Sequence, residues 1–320
     1  MITTTKQLLS DGGVIELEEN HLMNYKQLCL SLKPIAMGGD AVITVGHGKT
    51  VYSASYLEIT ATHLRIFFYS TKPELRYEIP HGLTVTDNLT VTIKQGAFLA
   101  DITLESDGTT FVTEGREWHG RNGKIFASVS GVSATDVTLS WTSGAYSRDI
   151  WLFGDSYFNL GASERWTYHL YRDGYTDYLL SGYPGRNTAA ALADFKRALA
   201  YGTPRIAVWC MGMNDGDADA DVNASYLAST EAFLKICKEK GIIPVLSTIP
   251  NTPTVNNTHK NAYVRSLGYR YIDFASAVGA TEKGSPWYDG MLSADNVHPQ
   301  EGGAIALYKQ AVADFPEILK

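Results

Sequence analysis

Cysteine is nearly missing from this chain: Cys29, Cys210 and Cys237 are the three among 320 residues. Odd in number and widely separated, they offer neither a disulfide framework nor the spacing of a metal site. Cys210, inside the run IAVWCMG, and Cys237, on a predicted helix, read as small buried hydrophobes. Long apolar runs are missing as well. The N-terminal MITTTKQLLSDGG lacks the core of a secretory signal, and no later stretch is long enough to span a bilayer. As written, the chain reads as soluble and untargeted, with a cytoplasmic location the expectation. Positive charge is in deficit: 27 Lys and Arg against 34 Asp and Glu leave a net charge of −7. That argues against a nucleic acid or an anionic membrane as partner, since both reward a basic surface.

Several signatures are lacking too. There is no GxSxG elbow and no HExxH helix, and with no cysteine–histidine cluster either, no metal or other cofactor is expected. The glycine-rich GGDAVITVGHG, residues 38–48, lacks the GK[ST] of a phosphate loop and reads as turns among strands.

What the chain has is apolar mass, 44% hydrophobic against 19% charged, enough for one large domain or two ordinary ones. It also has two rhythms. The first half alternates: Leu89, Val91 and Ile93 face one way in LTVTIKQ, while Thr90, Thr92 and Lys94 face the other. Phe98, Ala100, Ile102 and Leu104 repeat the pattern in FLADITLES. YLEIT, RIFFYS, KIFASVS and DVTLSW supply further strands, with turn signals at TDN, SDG and RNG. Period-two alternation with frequent turns predicts an all-β sandwich or jelly roll over residues 1–147.

The second half, residues 148–320, changes period. Ile150–Phe153 is a continuous apolar run, as in a strand buried on both faces of a parallel sheet. Similar runs recur at DYLLSG, RIAVWCMG, IIPVLSTIP and YRYIDFAS. Helical segments are predicted between them at 163–172, 188–201, 222–240 and 257–267, with a last helix over 303–315. This alternation predicts an α/β fold, a three-layer α/β/α domain around a parallel sheet. The join falls near TSGAYSRD, residues 142–149.

In open parallel sheets, sites gather where strands end. Four such ends carry polar residues. Gly154-Asp155-Ser156 ends the first buried strand; Ser156 there suits either a helix cap or a nucleophile at the sheet rim. SGYPGRNT follows the second, where Gly182 or Gly185 serves a tight turn or presents an N–H to a ligand. Asn214 in GMND follows the third, as turn former or as an uncharged double donor. In SADNVHPQEGG, Asp295 stands three residues before His298, a spacing that lets the carboxylate fix one imidazole nitrogen and leave the other as a base. The plainer reading is a surface histidine with Pro299 opening a helix.

These blocks, in this order, resemble the SGNH hydrolases, the GDSL family of esterases and lipases, over residues 148–320. The resemblance implies that Ser156 is the nucleophile, His298 the base and Asp295 the triad acid. It further implies an oxyanion hole formed by the N–H groups of Ser156 and Gly185 and the Asn214 amide. Tyr157 stands where the family often has a small aliphatic residue, and Pro184 where serine is frequent. Asp155, Tyr157, Trp287 and Tyr288 are the candidate substrate contacts, with packing of the loop the favoured reading for Trp287 and Tyr288, since large aromatics most often serve burial. The activity implied is ester hydrolysis through an acyl-enzyme, with O-acetyl groups on carbohydrate the preferred substrate. A lipid or small-ester acylhydrolase, an acyltransferase and an inert carbohydrate-binding protein are the alternatives. The strand pattern of the first half is similar to a concanavalin-type or laminin-G-like jelly roll. That likeness suits sugar contact or plain support, with Trp118 and Trp141 as contacts or core.

Overall fold

The structure, a computed structural model, describes residues 2–6, 10–20, 26–35, 37–49, 54–96, 99–119, 123–158, 163–216 and 223–319. Phe98, the Arg121-Asn122 part of the RNG turn and Val222 at the expected start of a helix lie outside them. The chain divides into two compact units, Met1–Gly144 and Ala145–Lys320.

In the first unit the strands are β1 (Ile2–Lys6), β2 (Val14–Asn20), β3 (Lys26–Lys33), β4 (Val42–Gly46), β5 (Ala54–Ile59) and β6 (His63–Tyr69). They continue with β7 (Pro73–Pro80), β8 (Leu89–Gln95), β9 (Leu99–Ser106), β10 (Thr109–Glu117), β11 (Gly123–Ser130) and β12 (Asp136–Ser143). They build two six-stranded antiparallel sheets, β1-β12-β3-β8-β9-β10 and β2-β11-β4-β5-β6-β7. Alternation dictates one dry face per sheet: Leu89, Val91 and Ile93 of β8 are buried, with Leu28, Leu30 and Leu32 of β3 beside them. Trp118 and Trp141 belong to this interior, at 0% and 2% exposure, which removes both as sugar contacts.

The turn reading of residues 38–48 is corrected by β4. Gly46 is no turn glycine; a Cβ there would lie 2.5 Å from the Tyr56 Cα, so glycine is what lets β5 pair this closely.

The second unit holds a five-stranded parallel sheet of β13 (Ile150–Gly154), β14 (Tyr178–Gly182), β15 (Ile206–Cys210), β16 (Ile243–Ser247) and β17 (Tyr271–Ile272). Its order is β14-β13-β15-β16-β17, so the chain reverses direction of growth at β13. The helices are α1 (Trp166–Arg172), α2 (Thr188–Ala198), α3 (Ala224–Lys240), α4 (Thr258–Ser266), α5 (Phe274–Ala277) and α6 (Glu301–Asp314). Packing of α2 on α3, and of α1 and α5 on α6, gives the two outer layers.

Strands buried on both faces need apolar partners on both. Phe153 meets Phe195 of α2 at 5.3 Å, and Trp209 stacks on Phe233 of α3 at 4.5 Å. Elsewhere Phe158 and Phe274 both pack on Trp166 of α1. Cys210 and Cys237 are buried in this unit, as their settings predict.

Two local expectations change. The first α-helix begins at Trp166 and not at 163, because the Ser163 carbonyl is engaged by His169 Nε2 at 2.8 Å. YRYIDFAS is strand only at 271–272; Asp273 then caps α5 by accepting from the Ser276 amide. The Asp295–His298 block therefore does not close a strand of the sheet. It belongs to the 278–300 segment between α5 and α6, pinned by an antiparallel bridge between Leu292 and Pro299. Among the described residues, no helix is long and apolar enough to cross a membrane.

Candidate active site

Three neighbouring strands end level. Gly154 is in register with Gly182 on one side and with Cys210 on the other, so Ser156, Gly185 and Asn214 all follow the same edge of the sheet, beside the reversal where crevices form.

Ser156 does not cap an α-helix. It opens a single 3-10 turn, Ser156–Phe158, which Asp155 closes by accepting from the Tyr157 amide at 3.1 Å and, through its carbonyl, from the Phe158 amide. Gly154 is required by this turn: a Cβ there would sit 2.1 Å from the Phe158 ring. The Ser156 hydroxyl is joined to His298, its Oγ lying 2.8 Å from Nε2. His298 Nδ1 lies 2.7 Å from Asp295 Oδ2. The expected serine, imidazole and carboxylate are thus one connected chain.

Asp295 does more than meet the ring. Its Oδ1 accepts from the amides of Val297 and His298, both at 2.9 Å, and from Ser293 Oγ at 2.6 Å. Asn296 takes a left-handed φ of +60° so the chain can wrap the carboxylate. Partial burial pushes the Asp295 carboxyl up, but the bonds from Ser293, His298 and Val297 together hold it well below the usual carboxylate range. An anion at that position fixes the proton on Nδ1 and leaves Nε2 to accept from Ser156.

Gly185 and not Gly182 is the open glycine. Gly182 is buried, and a Cβ on it would lie 2.3 Å from Phe158 Cβ; Gly185 is exposed, with φ of +74° and empty space around its Cβ direction. Asn214 is exposed at the rim and spends one amide hydrogen on the Arg186 carbonyl at 3.0 Å, so the second is left for a ligand.

Sequence reasoning missed the residues that hold these donors. Arg186 is buried under the glycine turn, where its guanidinium pairs with Asp194 and donates to the Ser181 carbonyl at 2.9 Å. Asp215 receives the Thr188 amide at 3.1 Å from both carboxylate oxygens, tying the Asn214 loop to the start of α2. Buried Lys260 donates into the same loop. For Arg186 and Asp215 the available signal was a charged residue within a glycine-rich stretch, which burial permits only when paired; Lys260, among the polar residues NNTHKNA, carried none.

The four expected substrate contacts separate. Asp155 and Tyr157 are buried, at 4% and 5% exposure. Asp155 lines a small pocket of about 20 Å³ together with Cys210 and Ser247. Burial pushes its carboxyl up to about 7, against the Tyr157 amide, which lowers it. Trp287 is mostly buried, its Nε1 donating to the Asn251 carbonyl at 2.7 Å, while Tyr288 is 58% exposed. Both line a surface pocket of about 390 Å³ with Thr252, Pro253, Asp289 and Leu292. Leu292 bridges Pro299, the neighbour of His298, so this pocket flanks the histidine loop. Among the described residues, no cluster of His, Cys, Asp and Glu is arranged to hold a metal ion.

No protein family's sequence profile matches the chain, and no curated protein does. Solved structures similar to it cover roughly half of the chain. One is a protein of the lipolytic G-D-S-L family from Desulfitobacterium hafniense, with 16% identity, 52% of this chain and 98% of that one covered, and a TM-score of 0.44. Another is a lipase/acylhydrolase from Enterococcus faecalis, at 24% identity, 54% and 97% coverage and a TM-score of 0.42. A third is an acetylxylan esterase from Geobacillus stearothermophilus, at 16% identity, 52% and 93% coverage and a TM-score of 0.40.

Proposed function

We propose that the second unit is a serine ester hydrolase of SGNH type. The observation that carries this reading is the unbroken relay of Ser156 Oγ to His298 Nε2 at 2.8 Å and His298 Nδ1 to Asp295 Oδ2 at 2.7 Å. A serine hydroxyl is a poor nucleophile at neutral pH and needs such a base within hydrogen-bond reach.

The reaction runs in two halves. Ser156 Oγ attacks the ester carbonyl carbon while its proton passes to His298 Nε2, and the carbonyl π pair moves onto oxygen. The N–H groups of Ser156 and Gly185 and the free Asn214 amide hydrogen receive that oxyanion. Collapse breaks the bond to the alcohol oxygen, which takes the proton from His298 and leaves an acyl-Ser156. Water then repeats the sequence, releasing the acid and restoring the hydroxyl. Asp295 stays ionised throughout and stabilises the imidazolium.

The substrate we favour is an O-acetyl group on carbohydrate. The pocket of about 390 Å³ beside the His298 loop supports it, with the exposed ring of Tyr288 and the Asp289 carboxylate as an apolar face and a polar handle for a sugar. His298 protonates the leaving alcohol, so a pocket on its side suits the alcohol half of the ester. A role for the first unit in holding the glycan belongs to the same proposal.

The test is hydrolysis of 4-nitrophenyl acetate by the wild type and by Ser156→Ala, followed by mass spectrometry of acetate released from acetylated glycans. Loss of turnover in Ser156→Ala supports the mechanism, and equal rates end it. Release from acyl lipids but not from glycans would shift the substrate to the lipid class, and acyl products on added sugars would make the enzyme a transferase.

A further inference from the structure

We propose that Lys260 is a positioning residue for the Asn214 amide, an inference that rests on the ester-hydrolase reading above. Lys260 lies on α4 and is completely buried. Its Nζ donates to the Gly212 carbonyl at 2.9 Å, to the Gly216 carbonyl at 2.6 Å and to Asn257 Oδ1 at 3.0 Å. An ammonium carries three N–H donors, and here all three are engaged. Lysine is almost never fully buried, because desolvating the charge is costly unless every donor is met. An apolar residue would fill this volume more cheaply, so the geometry of the three acceptors is the informative part.

Gly212 and Gly216 stand two residues before and two after Asn214, and Lys260 grips the carbonyl of each. Both glycines have left-handed φ, +131° and +81°, and a backbone with that freedom does not hold a side chain still by itself. Gly212 also has no room for a Cβ, which would meet Ile249 Cδ1 at 2.4 Å. Within the loop the Asp215 amide reaches the Gly212 carbonyl at only 3.4 Å, so further rigidity has to come from outside it. On one side Asp215 binds the Thr188 amide and the Asn214 amide itself donates to the Arg186 carbonyl. Lys260 supplies the other hold, lying over the Tyr226 ring at 6.0 Å from its centroid.

The third acceptor extends the clamp. Asn257 donates through Nδ2 to the Pro250 carbonyl at 3.0 Å, and its amide donates to Asn251 Oδ1 at 2.6 Å. The Asn251 carbonyl receives Trp287 Nε1 at 2.7 Å. Lys260 thus connects the loop that presents Asn214 to the 278–300 segment that presents His298. An oxyanion donor acts only if it is already in place when charge develops. Holding both ends of its loop from the interior accomplishes that without a group entering the cleft.

The experiment is a double-mutant cycle on the full chain. Rates on 4-nitrophenyl acetate are measured for wild type, Lys260→Met, Asn214→Ala and the double variant. Loss of a donor of this kind typically costs about 10²–10³ in kcat. Lys260→Met is therefore expected to lose about tenfold to 10² in kcat with KM within about twofold, below that ceiling because Asn214 is displaced and not removed. In the Asn214→Ala background the same substitution should cost less than about twofold, since its target is gone. A wild-type kcat in Lys260→Met, or a full additive loss in the double variant, overturns the inference. Hydrolysis that survives Ser156→Ala removes the underlying ester-hydrolase reading and this proposal with it; normal dependence on Ser156 and Asn214 with no effect of Lys260 removes the proposal alone. Should Lys260→Met fail to fold, NMR of wild-type protein labelled at lysine nitrogen replaces it. Lys26 is buried as well, so the clamp requires an ammonium signal protected from exchange with water that remains in Lys26→Met, and exchange of every lysine of that variant at surface rates would refute it.

Discussion

The phenol of Tyr157, directly after the proposed nucleophile, donates to the carbonyl of Val297, directly before His298, at 2.5 Å. Two segments far apart in the chain are thereby fastened at the point where serine and imidazole must meet. The ring is buried and lies 6.0 Å from the His298 ring. Tyr157→Phe keeps the packing and loses only this bond, a cost of about 1 kcal/mol in stability. Because His298 is also held through Asp295, kcat should fall on the order of tenfold, short of the about 10² that a 1 Å misplacement brings. Steady-state kinetics beside thermal unfolding check both numbers. An unchanged kcat with lowered stability would make the bond a fold contact only.

Asp295→Asn tests the direction of the relay. The new side-chain oxygen still accepts the amides of Val297 and His298, so the loop keeps its shape. Its NH₂ would face Nδ1, which must then accept, moving the ring proton to Nε2 where it opposes the Ser156 hydroxyl. In a serine protease this wrong tautomer costs about 10⁴ in kcat, and a loss of about 10³–10⁴ is expected here with unfolding temperature little changed. A variant retaining more than about a tenth of wild-type turnover would mean that Asp295 serves the loop and not the chemistry.

How much of this was legible in the sequence depended on whether the signal was local. Ile150–Phe153 announced a strand wet on neither face, and the four short blocks named Ser156, Asn214, Asp295 and His298, all of which the fold brings to one edge or one relay. Gly46 misled, because a glycine inside a strand and a glycine in a turn look alike until the partner strand is known. Tyr157 and Asp155 misled for a related reason. Proximity to the nucleophile in sequence suggested the cleft, whereas the 3-10 turn sends both side chains inward. Lys260 was invisible, and Arg186 and Asp215 nearly so, since their meaning lies in the carbonyls and amides that the fold brings to them.

The buried Asp155 makes a stability prediction with a definite sign. Its carboxyl is raised from 3.8 to about 7 in the folded chain, chiefly by burial. Folding therefore favours its protonated form. That contribution is fully present below the unfolded value and is lost as pH rises through the folded one. Raising pH from 5 to 8 should weaken the wild type through this group, by about 2.6 kcal/mol, since roughly two of the three units lie inside that range at 1.36 kcal/mol per pKa unit. Asp155→Asn keeps an acceptor for the Tyr157 amide and cannot ionise. Its unfolding temperature should therefore fall less across that range, by about 10 °C at most. Parallel curves for the two proteins would show that Asp155 does not titrate in this window.

The pocket beside His298 makes a prediction about substrate. The Tyr288 ring lies over Gly279, whose Cβ would approach the ring to 2.9 Å, and stays 58% exposed. Its amide donates to the Val278 carbonyl at 2.9 Å, so the backbone there is fixed independently of the ring. Tyr288→Ala removes a stacking surface without moving the loop. Losing an aromatic contact of about 1 kcal/mol should raise KM for an acetylated oligosaccharide about fivefold, with kcat changed little. An unaltered KM would place the sugar elsewhere.

The first turn of α6 offers a contrast between adjacent glycines. A Cβ on Gly303 would sit 2.3 Å from the Met291 carbonyl oxygen and 3.1 Å from Pro299 Cβ; on Gly302 its nearest neighbour would be the Gly290 oxygen at 3.6 Å. Helix propensity favours alanine at both by up to about 1 kcal/mol. At Gly302 nothing opposes that gain, so Gly302→Ala should unfold at the same or higher temperature and keep its activity. At Gly303 the obstruction is backbone, which no rotamer relieves. The Met291 carbonyl also accepts the Gln300 amide at 2.8 Å, next to the Leu292–Pro299 bridge. Either α6 or the 291–299 segment must shift, and His298 lies in that segment. Gly303→Ala should thus lower both unfolding temperature and kcat, and Gly302→Ala neither. If both variants behave as wild type, the close docking of α6 is not what holds the histidine against Ser156.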